Sequence, residues 1–352
     1  MQKIRIGSIG LGNISTGVHI PGIQASPDLV LTAICDADPE RLRQRGEQYG
    51  IDEVHRFTDY HDLIACPEVD AVDISTPNVS HYEIAMTAVA AGKPYGVEKP
   101  ITMTAEEADS LAAATDKAGV QSMVYFSYRY KAAARMARDI LLSGKLGKVH
   151  HVNMQYYQGW GLADNDCPLV WRFVRSVTAS GALGDLGCHG LDLVSFVTGA
   201  DYEAVTAHLD TILPERRLPD NSGYGKVDVD DFSNMLCKMT GGISASFQIS
   251  RFAYGRGNYQ RMEIYCEHGG LVYHLDRIPG VDELAMADKE SGGVYVDQVI
   301  PEKYHVSQMQ AFADLLLGRD DGENASITDG KRNAHVLDAI LLSAKTGNWV
   351  RL

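Results

Sequence analysis

A carboxylate and an imidazole with the spacing of a catalytic pair stand near the middle of the chain. Asp185, His189 and Asp192 lie four and three residues apart in GALGDLGCHGLDL, and on a helix this spacing places them on one face. A carboxylate one turn from a histidine can hydrogen-bond the imidazole, fix its tautomer and raise its basicity. The segment therefore predicts a general base, with a buried structural network as the alternative. No further ligands cluster nearby, so we predict no metal.

The same segment has a glycine at every third position, which is unusual in a helix. Each of Gly181, Gly184, Gly187 and Gly190 costs about 1 kcal/mol of helix stability relative to alanine. Close approach of a ligand or of another backbone would explain this cost.

A second charged group ends the strand-like run PYGVE. Glu98 and Lys99 are followed by Pro100, which fixes the backbone and cannot continue a strand. Ligands of open α/β sheets bind at the carboxyl ends of the strands. Lys99 is therefore predicted to act on a ligand, either as a positive hydrogen-bond donor or as a base. Glu98 is predicted to contact the same ligand or to pair with Lys99.

The N-terminal segment GSIGLGNIS carries a glycine pattern that suits a phosphate. Gly10 and Gly12 follow the first strand-like run, and Ser15 replaces the third glycine of a GxGxxG fingerprint. The two glycines permit a tight turn and let a pyrophosphate approach backbone N–H groups at a helix N-terminus. The loop, including Asn13 and Ile14, is predicted to bind a dinucleotide, since it stands directly between a strand and a helix.

Asp36 ends the second strand-like run, 36 − 10 = 26 positions after Gly10. A carboxylate at this position accepts hydrogen bonds from the ribose hydroxyls and repels a 2′-phosphate, which favours NAD over NADP. The alternative is a turn or capping role. Asp38 suits the capping role better, because it directly precedes Pro39 at the first helical position.

Short apolar runs alternate with amphipathic stretches through the first third of the chain. This pattern predicts an α/β Rossmann domain of residues 1–126 with a doubly wound parallel sheet. The predicted strands are 3–10, 29–36, 71–76, 94–98 and 120–126, and the predicted helices are near 39–49, 79–91 and 104–118. We expect the polar residues after each strand to lie along one edge of the sheet.

The third strand-like run is followed by residues predicted to contact the dinucleotide, namely Thr76, Pro77, Asn78 and His81. Each has a plainer interpretation on its own. Asn78 would cap the helix that follows, and His81 would lie on the surface of that helix.

The pattern changes after about residue 127. Alternating polarity between 202 and 300, with glycine turns, predicts an α+β domain of residues 127–352 built on a large, mostly antiparallel open sheet. The predicted helices of this domain are 131–143, 183–198, 303–317 and 329–346. One face of such a sheet must be covered, so we expect a homodimer or homotetramer.

Composition excludes several classes of partner. The chain has 352 residues and a formal net charge of −14, which argues against nucleic acid and against an anionic membrane. The scattered cysteines, the lack of a signal-like start and the lack of a membrane-length apolar run predict a cytoplasmic protein with reduced thiols.

The chain resembles the Gfo/Idh/MocA oxidoreductases, named after glucose–fructose oxidoreductase and inositol dehydrogenase. The resemblance rests on IGSIGLGNIS, STPNVSHYEIAMTAVAAGKPYGVEKP, GALGDLGCHGLDL and DGKRNAHVLDAILLSAKTGNWVRL, and it covers nearly the whole chain. Within the family, YYQGWG, WRF and SRFAYGRGN are most similar to the levoglucosan dehydrogenase branch, which oxidises a pyranose at carbon 3. The resemblance implies an NAD-dependent sugar or polyol dehydrogenase.

The resemblance also implies roles for individual residues. Lys99, Asp185 and His189 would form the catalytic group, in which the choice of His189 or Lys99 as base stays open. Further predicted cofactor contacts are Arg129, Trp171 and Arg172, and further predicted substrate contacts are Tyr128, Gln158, Trp160 and Arg172. Packing within the second domain is the alternative for each tryptophan.

Two other functions fit the same motifs. An NAD-dependent glycosidase would oxidise transiently, eliminate and reduce back, with Asp164 or Asp166 as the added acid. A regulatory NAD(H)-binding protein would have no turnover, and Lys99, Asp185 and His189 argue against it.

Overall fold

The computed structural model describes residues 3–352 and divides into two units. The first unit consists of the chain up to Phe126 together with Val306–Ala334, and the second consists of Ser127–His305 together with His335–Leu352. The division after residue 126 coincides with the predicted one. Residues 306–334, in contrast, belong to the first unit, although the sequence pattern placed them in the second domain.

Within the described residues, the first unit contains a six-stranded parallel sheet in the order β3-β2-β1-β4-β5-β6. This is the strand order of a Rossmann fold, so the predicted fold is confirmed. The short β3 lies outside the predicted set of strands. The strands are β1 (Ile4–Ile9), β2 (Leu29–Cys35), β3 (Arg56–Phe57), β4 (Ala71–Ile74), β5 (Tyr95–Val97) and β6 (Ser122–Val124).

The helices between these strands begin and end where local chemistry places them. The Asp38 carboxylate accepts the N–H groups of Glu40 and Arg41 at the start of α2, and Gly50 ends that helix in the left-handed region. Thr104 caps α5 in the same way. The helices are α1 (Ile20–Ala25), α2 (Pro39–Tyr49), α3 (Tyr60–Ala65), α4 (His81–Ala90) and α5 (Ala105–Ala118).

In the described part of the second unit, nine strands form a sheet in the order β16-β15-β14-β13-β7-β12-β11-β8-β17. Its strand pairs are antiparallel except for β7 with β12, so the predicted mostly antiparallel sheet is confirmed. Strands β9 and β10 form a separate hairpin. The strands are β7 (Val149–Tyr157), β8 (Tyr202–Asp210), β9 (Glu215–Arg217), β10 (Tyr224–Lys226), β11 (Phe232–Met239), β12 (Ile243–Ser250), β13 (Tyr259–Cys266), β14 (Gly269–Leu275), β15 (Asp282–Asp288), β16 (Val296–Asp297) and β17 (Val350–Arg351).

One face of this sheet carries helices, and β11 exposes alternate positions on the other face. Side chains such as Met154 and Ile249 are buried beneath α8, whereas the alternate positions of β11, including Leu236 and Lys238, are exposed. This alternation is typical of an antiparallel sheet with one covered face. The helices of this part of the chain are α6 (Ala132–Leu142), α7 (Arg175–Thr178) and α8 (Cys188–Thr198).

The segment 306–334 joins the first unit through backbone pairing and side-chain packing. The N–H of Val124 donates to the carbonyl of Ala325 at 2.8 Å, and the Phe312 ring meets Tyr125 edge-on at 6.2 Å between centroids. These contacts are non-local, which explains why a local pattern assigned the segment elsewhere. The helices that begin in this segment are α9 (Gln308–Leu316) and α10 (Ile327–Thr346).

Candidate functional site

The glycine loop lies between β1 and a helical segment that starts with a π-helical turn at Ser15–His19 and continues into α1. Gly10 has φ +89°, and a Cβ at this position would stand 2.7 Å from the carbonyl oxygen of Ser75. Gly12 has open space around the same position, with no atom within 4 Å. Gly10 therefore serves the turn itself, and Gly12 leaves room for a ligand to approach the backbone. Asn13 and Ile14 follow with exposed and half-buried side chains.

Asp36 is buried and its carboxylate is tied to the glycine loop. The N–H of Leu11, between the two glycines, donates to Asp36 Oδ2 at 2.9 Å, and the N–H of Asp38 donates to Oδ1 at 2.9 Å. The Arg41 guanidinium approaches both oxygens at 3.2 Å. Asp36 thus shapes the loop as well as offering a carboxylate at the end of β2. Asp38, as expected, supplies the cap of α2.

Residues after β4 occupy the next strand end. Thr76 is half-buried, Pro77 is exposed and Asn78 is buried in a 3₁₀ turn, Asn78–Ser80, that precedes α4. Helix α4 begins at His81, so Asn78 is not its N-cap.

His81 is fully buried, which contradicts its interpretation as a helix-surface residue. Its ring nitrogens lie 2.8 Å from the carbonyl oxygens of Pro100 and Thr76. Burial lowers the pKa of His81, although both carbonyl contacts favour the protonated ring. The imidazole therefore links two strand ends, and its predicted cofactor contact stays a prediction.

The strand end after β5 carries Glu98, which is buried, and Lys99, which is half-buried. The Lys99–Pro100 peptide bond is cis. Glu98 Oε2 accepts the N–H of Lys99 at 3.2 Å, and Glu98 Oε1 lies 3.2 Å from Nε2 of His19. Glu98 is thus held by the backbone and by a histidine that sequence reasoning missed.

These strand ends suit a dinucleotide. The open approach at Gly12 and the buried Asp36 carboxylate match the requirements of a pyrophosphate and of a ribose diol, respectively. NAD supplies a hydride acceptor when it is bound. Asp36, Asn78 and Glu98 would be the side chains of this unit that hold it, and these contacts stay predictions.

In the second unit, the predicted catalytic segment, residues 181–193, departs from an ideal helix. Leu183–Gly187, which contains Asp185, is π-helical and continues into α8, which carries His189. The i, i+4, i+7 spacing therefore does not place three side chains on one α-helical face, because a π turn holds more residues. Asp185 Oδ1 lies 3.7 Å from Nε of Arg172, and Asp192 pairs with Arg129.

The pair of Arg129 and Asp192 is buried and bidentate. Arg129 Nε donates to Asp192 Oδ2 at 2.8 Å, and a second guanidinium nitrogen donates to Oδ1 at 2.5 Å. Such a fork fixes both side chains. Arg129 is thereby anchored to α8, and its predicted cofactor contact stays a prediction.

The glycines of the catalytic segment permit close packing. A Cβ at Gly181 would stand 1.9 Å from the carbonyl oxygen of Asp230, so another backbone explains this glycine. Gly190 faces Met154 and Ile249 of the sheet at ordinary contact distances. Two explanations were considered for these glycines, close approach of a ligand or of another backbone. At Gly181 the structure supports the second.

His189 packs against two tyrosines. Its ring meets Tyr128 edge-on at 4.7 Å between centroids and lies 6.5 Å from Tyr156. The two hydroxyls are 2.5 Å apart and form a hydrogen bond, and Oδ1 of Asn258 lies 3.0 Å from the Tyr128 hydroxyl and 2.7 Å from the Tyr156 hydroxyl. Gln158 donates to the same Asn258 oxygen at 2.8 Å. We call these four hydrogen-bonded residues the tyrosine–amide cluster.

Burial raises the pKa of Tyr156 well above its ordinary value, and the neighbouring Tyr128 acts in the same direction. Tyr156 therefore remains a neutral hydroxyl at physiological pH. The cluster offers hydroxyl and amide groups beside His189, which is the kind of lining that recognises the hydroxyls of a polar ligand.

The segment from Gln158 to Phe173, which we call the tryptophan loop, carries the other predicted contacts. Trp160 lies 5.3 Å from the Phe173 ring and is partly exposed, so it both packs and presents a face. Trp171 and Arg172 are half-buried, and the Arg172 guanidinium stacks 4.3 Å above the Trp171 ring. Packing within the second unit and contact with a substrate are therefore compatible roles for Trp160.

Arg251 stabilises the tryptophan loop through hydrogen bonds to its backbone and through stacking on Phe173. It is fully buried, its Nε donates to the fully buried Asp231 at 2.9 Å, and it donates to the carbonyl of Arg172 at 3.1 Å. Its guanidinium stacks 4.4 Å from the Phe173 ring. The N–H of Gly161 donates to the Arg251 carbonyl at 3.0 Å.

Arg216 adds a second clamp. It is buried, donates to the carbonyls of Gly161 and Cys167, and stacks 3.9 Å above Phe173. Two arginines that are distant in sequence, Arg216 of β9 and Arg251 just after β12, thus fix an irregular loop. Sequence reasoning missed both, together with His19, Tyr156 and Asn258, because only the fold brings them to these positions.

The parallel sheet, the glycine loop, the carboxylate after β2 and the histidine-bearing second unit together define a dinucleotide-dependent α/β enzyme. Residues 4–126 match the model of the oxidoreductase family with an NAD-binding Rossmann fold, and residues 134–272 match the GFO/IDH/MocA C-terminal domain. The chain belongs to the Gfo/Idh/MocA family of NAD-binding oxidoreductases.

Several characterised proteins are similar over almost their full length. Levoglucosan dehydrogenase of Pseudarthrobacter phenanthrenivorans is 33% identical, with 99% of this chain and 98% of that protein covered. Myo-inositol 2-dehydrogenase of Thermotoga maritima is 25% identical, with 93% and 92% covered. A solved structure of levoglucosan dehydrogenase in complex with NADH and levoglucosan has a TM-score of 0.89 at 29% identity, with 99% of each chain covered.

In the part of the chain that the structure describes, no helix is both long enough and apolar enough to cross a membrane.

Proposed function

We propose that this enzyme oxidises a secondary hydroxyl of a sugar, glycoside or cyclic polyol, with carbon 3 of a pyranose as the reacting position, and gives a keto-sugar and NADH. The observation that supports this proposal is the tyrosine–amide cluster beside His189. A lining of two hydroxyls and two amides suits a ligand with several hydroxyl groups. The similarity to levoglucosan dehydrogenase over 99% of this chain agrees with it.

The reaction needs a base for the hydroxyl proton and a positive group for the developing alkoxide. We assign His189 as the base. It lies on α8, and its ring is held by the contact with Tyr128. Asp185, on the π-helical turn before it, is assigned as the residue that orients the base. Lys99 is assigned as the positive donor, with the alternative that Lys99 is itself the base.

We assign the sugar contacts to Tyr128, Gln158, Trp160 and Arg172. Tyr128 and Gln158 belong to the tyrosine–amide cluster, and Trp160 offers a flat apolar face of the kind that packs on pyranose C–H groups. Arg172 lies 3.7 Å from Asp185, and this distance places it beside a residue of the assigned catalytic group.

The glycosidase alternative requires an acid for the leaving group. Asp166, one of its two candidates, is exposed and pairs with Arg217 at 3.0 Å, and Asp164 is exposed as well. Neither observation favours an acid for a leaving group, which works best in a partly buried site that raises its pKa.

One assay separates the functions. The protein is incubated with NAD and a panel of inositols, pyranoses, glycosides and levoglucosan, while NADH absorbance and product masses are followed. Net NADH with a keto-sugar is the expected result. Cleavage of a glycoside without net NADH would indicate the glycosidase, and silence across the panel would indicate a binding protein.

Substitution of the two proton-handling residues gives the first prediction. Lys99→Ala and His189→Ala should each lower kcat by about 1000-fold or more, because each removes a charge or a proton acceptor in the transition state. The Kd for NAD, measured by calorimetry, should change by less than about twofold in His189→Ala. Lys117→Ala and His268→Ala, on exposed positions, are the matched controls. Turnover within tenfold of the parent in either catalytic variant would overturn that residue's role.

We also propose that the exposed face of the nine-stranded sheet pairs with a second copy of the chain in a homodimer or homotetramer. In the single chain this face exposes Leu236 and Tyr265 together with polar positions. Light scattering after gel filtration tests the proposal, and a monomer at micromolar concentration would contradict it. The cytoplasmic location stays a prediction from the sequence.

A further inference from the structure

The first unit contains a buried charged trio, and two of its members, His19 and Asp73, have no role in the proposed chemistry. His19 and Asp73 are fully buried, and Glu98 is 8% exposed. Nδ1 of His19 lies 2.8 Å from Oδ1 of Asp73, and Nε2 lies 3.2 Å from Oε1 of Glu98. The three residues come from the helical segment after the glycine loop, from β4 and from the end of β5.

The two hydrogen bonds of the His19 ring indicate its protonation state. Each ring nitrogen of His19 faces a carboxylate oxygen, and a neutral imidazole has only one N–H to donate. With both carboxyl groups ionised, both contacts are satisfied only when both nitrogens donate, that is, when His19 is an imidazolium. Ser8 Oγ donates to the other oxygen of Asp73 at 2.7 Å, and the N–H of Lys99 donates to the other oxygen of Glu98 at 3.2 Å.

The electrostatics agree with this count. Burial opposes the charge on His19, but the Asp73 carboxylate and the hydrogen bonds to Asp73 and Glu98 outweigh it and raise the pKa of His19 to about 10. The Tyr125 ring also packs against the imidazole, at 4.5 Å between centroids. The contribution of His19 to folding stability is therefore complete below its ordinary pKa of 6.5 and is lost as the pH rises through about 10.

A buried ion trio is an expensive way to fill a core, because apolar side chains of similar volume often give equal or greater stability. The trio instead fixes the orientation of the Glu98 carboxylate. The Glu98 carboxylate is fixed by His19 on one oxygen and by the Lys99 backbone on the other. On the far side of Lys99, the carbonyl of Pro100 is held by the buried ring of His81. Two histidines from different elements thus contact the residues on both sides of Lys99, His19 at the Glu98 carboxylate and His81 at the Pro100 carbonyl.

We propose that His19, donating to Asp73 and Glu98 from both ring nitrogens, is a positioning residue that fixes the Glu98 carboxylate at the cofactor edge of the sheet and couples the glycine-loop helix to the Lys99 segment. Asp73 is its anchor. The proposal rests on the proposed function in one respect, the contact of Glu98 with the bound NAD. The protonation state of His19 is independent of any turnover.

The first test is nuclear magnetic resonance of the full-length protein labelled with ¹⁵N-histidine, without NAD. The expected result is one imidazole that is protonated on both nitrogens at about pH 8.5, where an ordinary histidine is neutral. That signal should disappear in His19→Gln. A neutral His19 at this pH would overturn the proposal even if the enzyme turns over as proposed.

The second test is a double-mutant cycle on the Kd for NAD, measured by calorimetry. His19→Gln should weaken NAD binding by about tenfold, because it leaves one Glu98 oxygen without a donor. In a Glu98→Gln background the same change should cost less than about twofold, since His19 acts through Glu98. Equal losses in both backgrounds would indicate a general structural role and overturn the proposal. His55→Gln, which breaks the partly exposed pair with Glu68, is the matched control with no expected effect.

Asp73→Asn gives the test that is least affected by folding, because the substitution conserves shape. It removes the charge that favours the imidazolium, so the pKa of His19 should fall towards neutrality. NAD binding should then weaken as the pH rises from about 6 to 9, whereas the parent protein should lack this dependence on His19. The same pH profile in both proteins would contradict the coupling. The two proposals can fail separately. If Lys99→Ala keeps its turnover while these results hold, only the proposed function is contradicted. If Lys99→Ala loses its turnover and these results fail, only the role of His19 is contradicted.

Discussion

The two units place their functional side chains in different ways. In the first unit, Gly10, Asp36 and Glu98 follow regular strands, and the sheet itself brings their backbones to one edge. In the second unit, Trp160 and Arg172 belong to an irregular loop that two buried arginines hold in place, one on β9 and one just after β12. A site on strand ends depends on local geometry, whereas a site on a loop depends on the distant residues that clamp it.

The largest effect predicted from this comparison is at Arg251. Replacement by methionine removes one partner of a fully buried ion pair and leaves Asp231 without its counter-charge, which costs about 3–5 kcal/mol of unfolding free energy. The measurement is urea unfolding followed by tryptophan fluorescence.

The control is Arg217→Met, which breaks the exposed pair with Asp166 and should cost less than about 1 kcal/mol. Equal costs for the two arginines would remove the distinction between a clamped loop and an ordinary surface. Asp231→Asn should be milder than Arg251→Met, because the amide still accepts a hydrogen bond.

The glycine loop provides the next contrast. Gly10→Ala introduces a Cβ at 2.7 Å from a backbone oxygen at φ +89°, so we expect a loss of about 2 kcal/mol or more in unfolding free energy. Gly12→Ala meets no atom of the chain, and its stability should stay within about 0.5 kcal/mol of the parent.

Binding should show the reverse contrast at Gly12. Its Cβ would occupy the space through which a pyrophosphate approaches the backbone, so the Kd for NAD should rise by about tenfold or more. Calorimetry with NAD checks this. Unchanged binding in Gly12→Ala would contradict the assignment of the loop to the cofactor.

The smallest effect is predicted at Asn258. Asn258→Ala removes the oxygen that organises Tyr128, Tyr156 and Gln158, so the KM for the sugar should rise by about tenfold through lost orientation. The Kd for NAD should not change. A rise in both constants would contradict a role confined to the second unit, and Asn221→Ala, at an exposed position, is the control.

Local signals explain how much the sequence could reveal. The glycine loop, the Asp38 cap and the alternation of strands and helices depend on neighbouring residues, and they predicted the Rossmann sheet apart from the two-residue β3. His19 carries no local signal, because its partners stand 54 and 79 positions away. Arg251 is equally silent, since it meets Asp231 and Arg172 only after the sheet has formed.

The arrangement of Asp185, His189 and Asp192 was predicted in part. Asp185 and His189 were correctly placed on one helical segment, but the π-helical turn at Leu183–Gly187 changed which residues share a face. Asp192 was therefore grouped with them although it pairs with Arg129. A glycine-rich sequence gave a hint of this departure, because it weakens regular helix formation. The sequence pattern also grouped residues 306–334 with the second domain, because only tertiary packing brings this segment to the first unit.

The most direct test of the central claim follows a deuterium label. A pyranose that the substrate panel identifies is prepared with deuterium on carbon 3 and incubated with the enzyme and NAD. We expect deuterium to appear on the nicotinamide ring of the NADH, and the keto-sugar to have lost it, with a slower rate than for the unlabelled sugar. Retention of the deuterium in the product would contradict oxidation at carbon 3 by this enzyme.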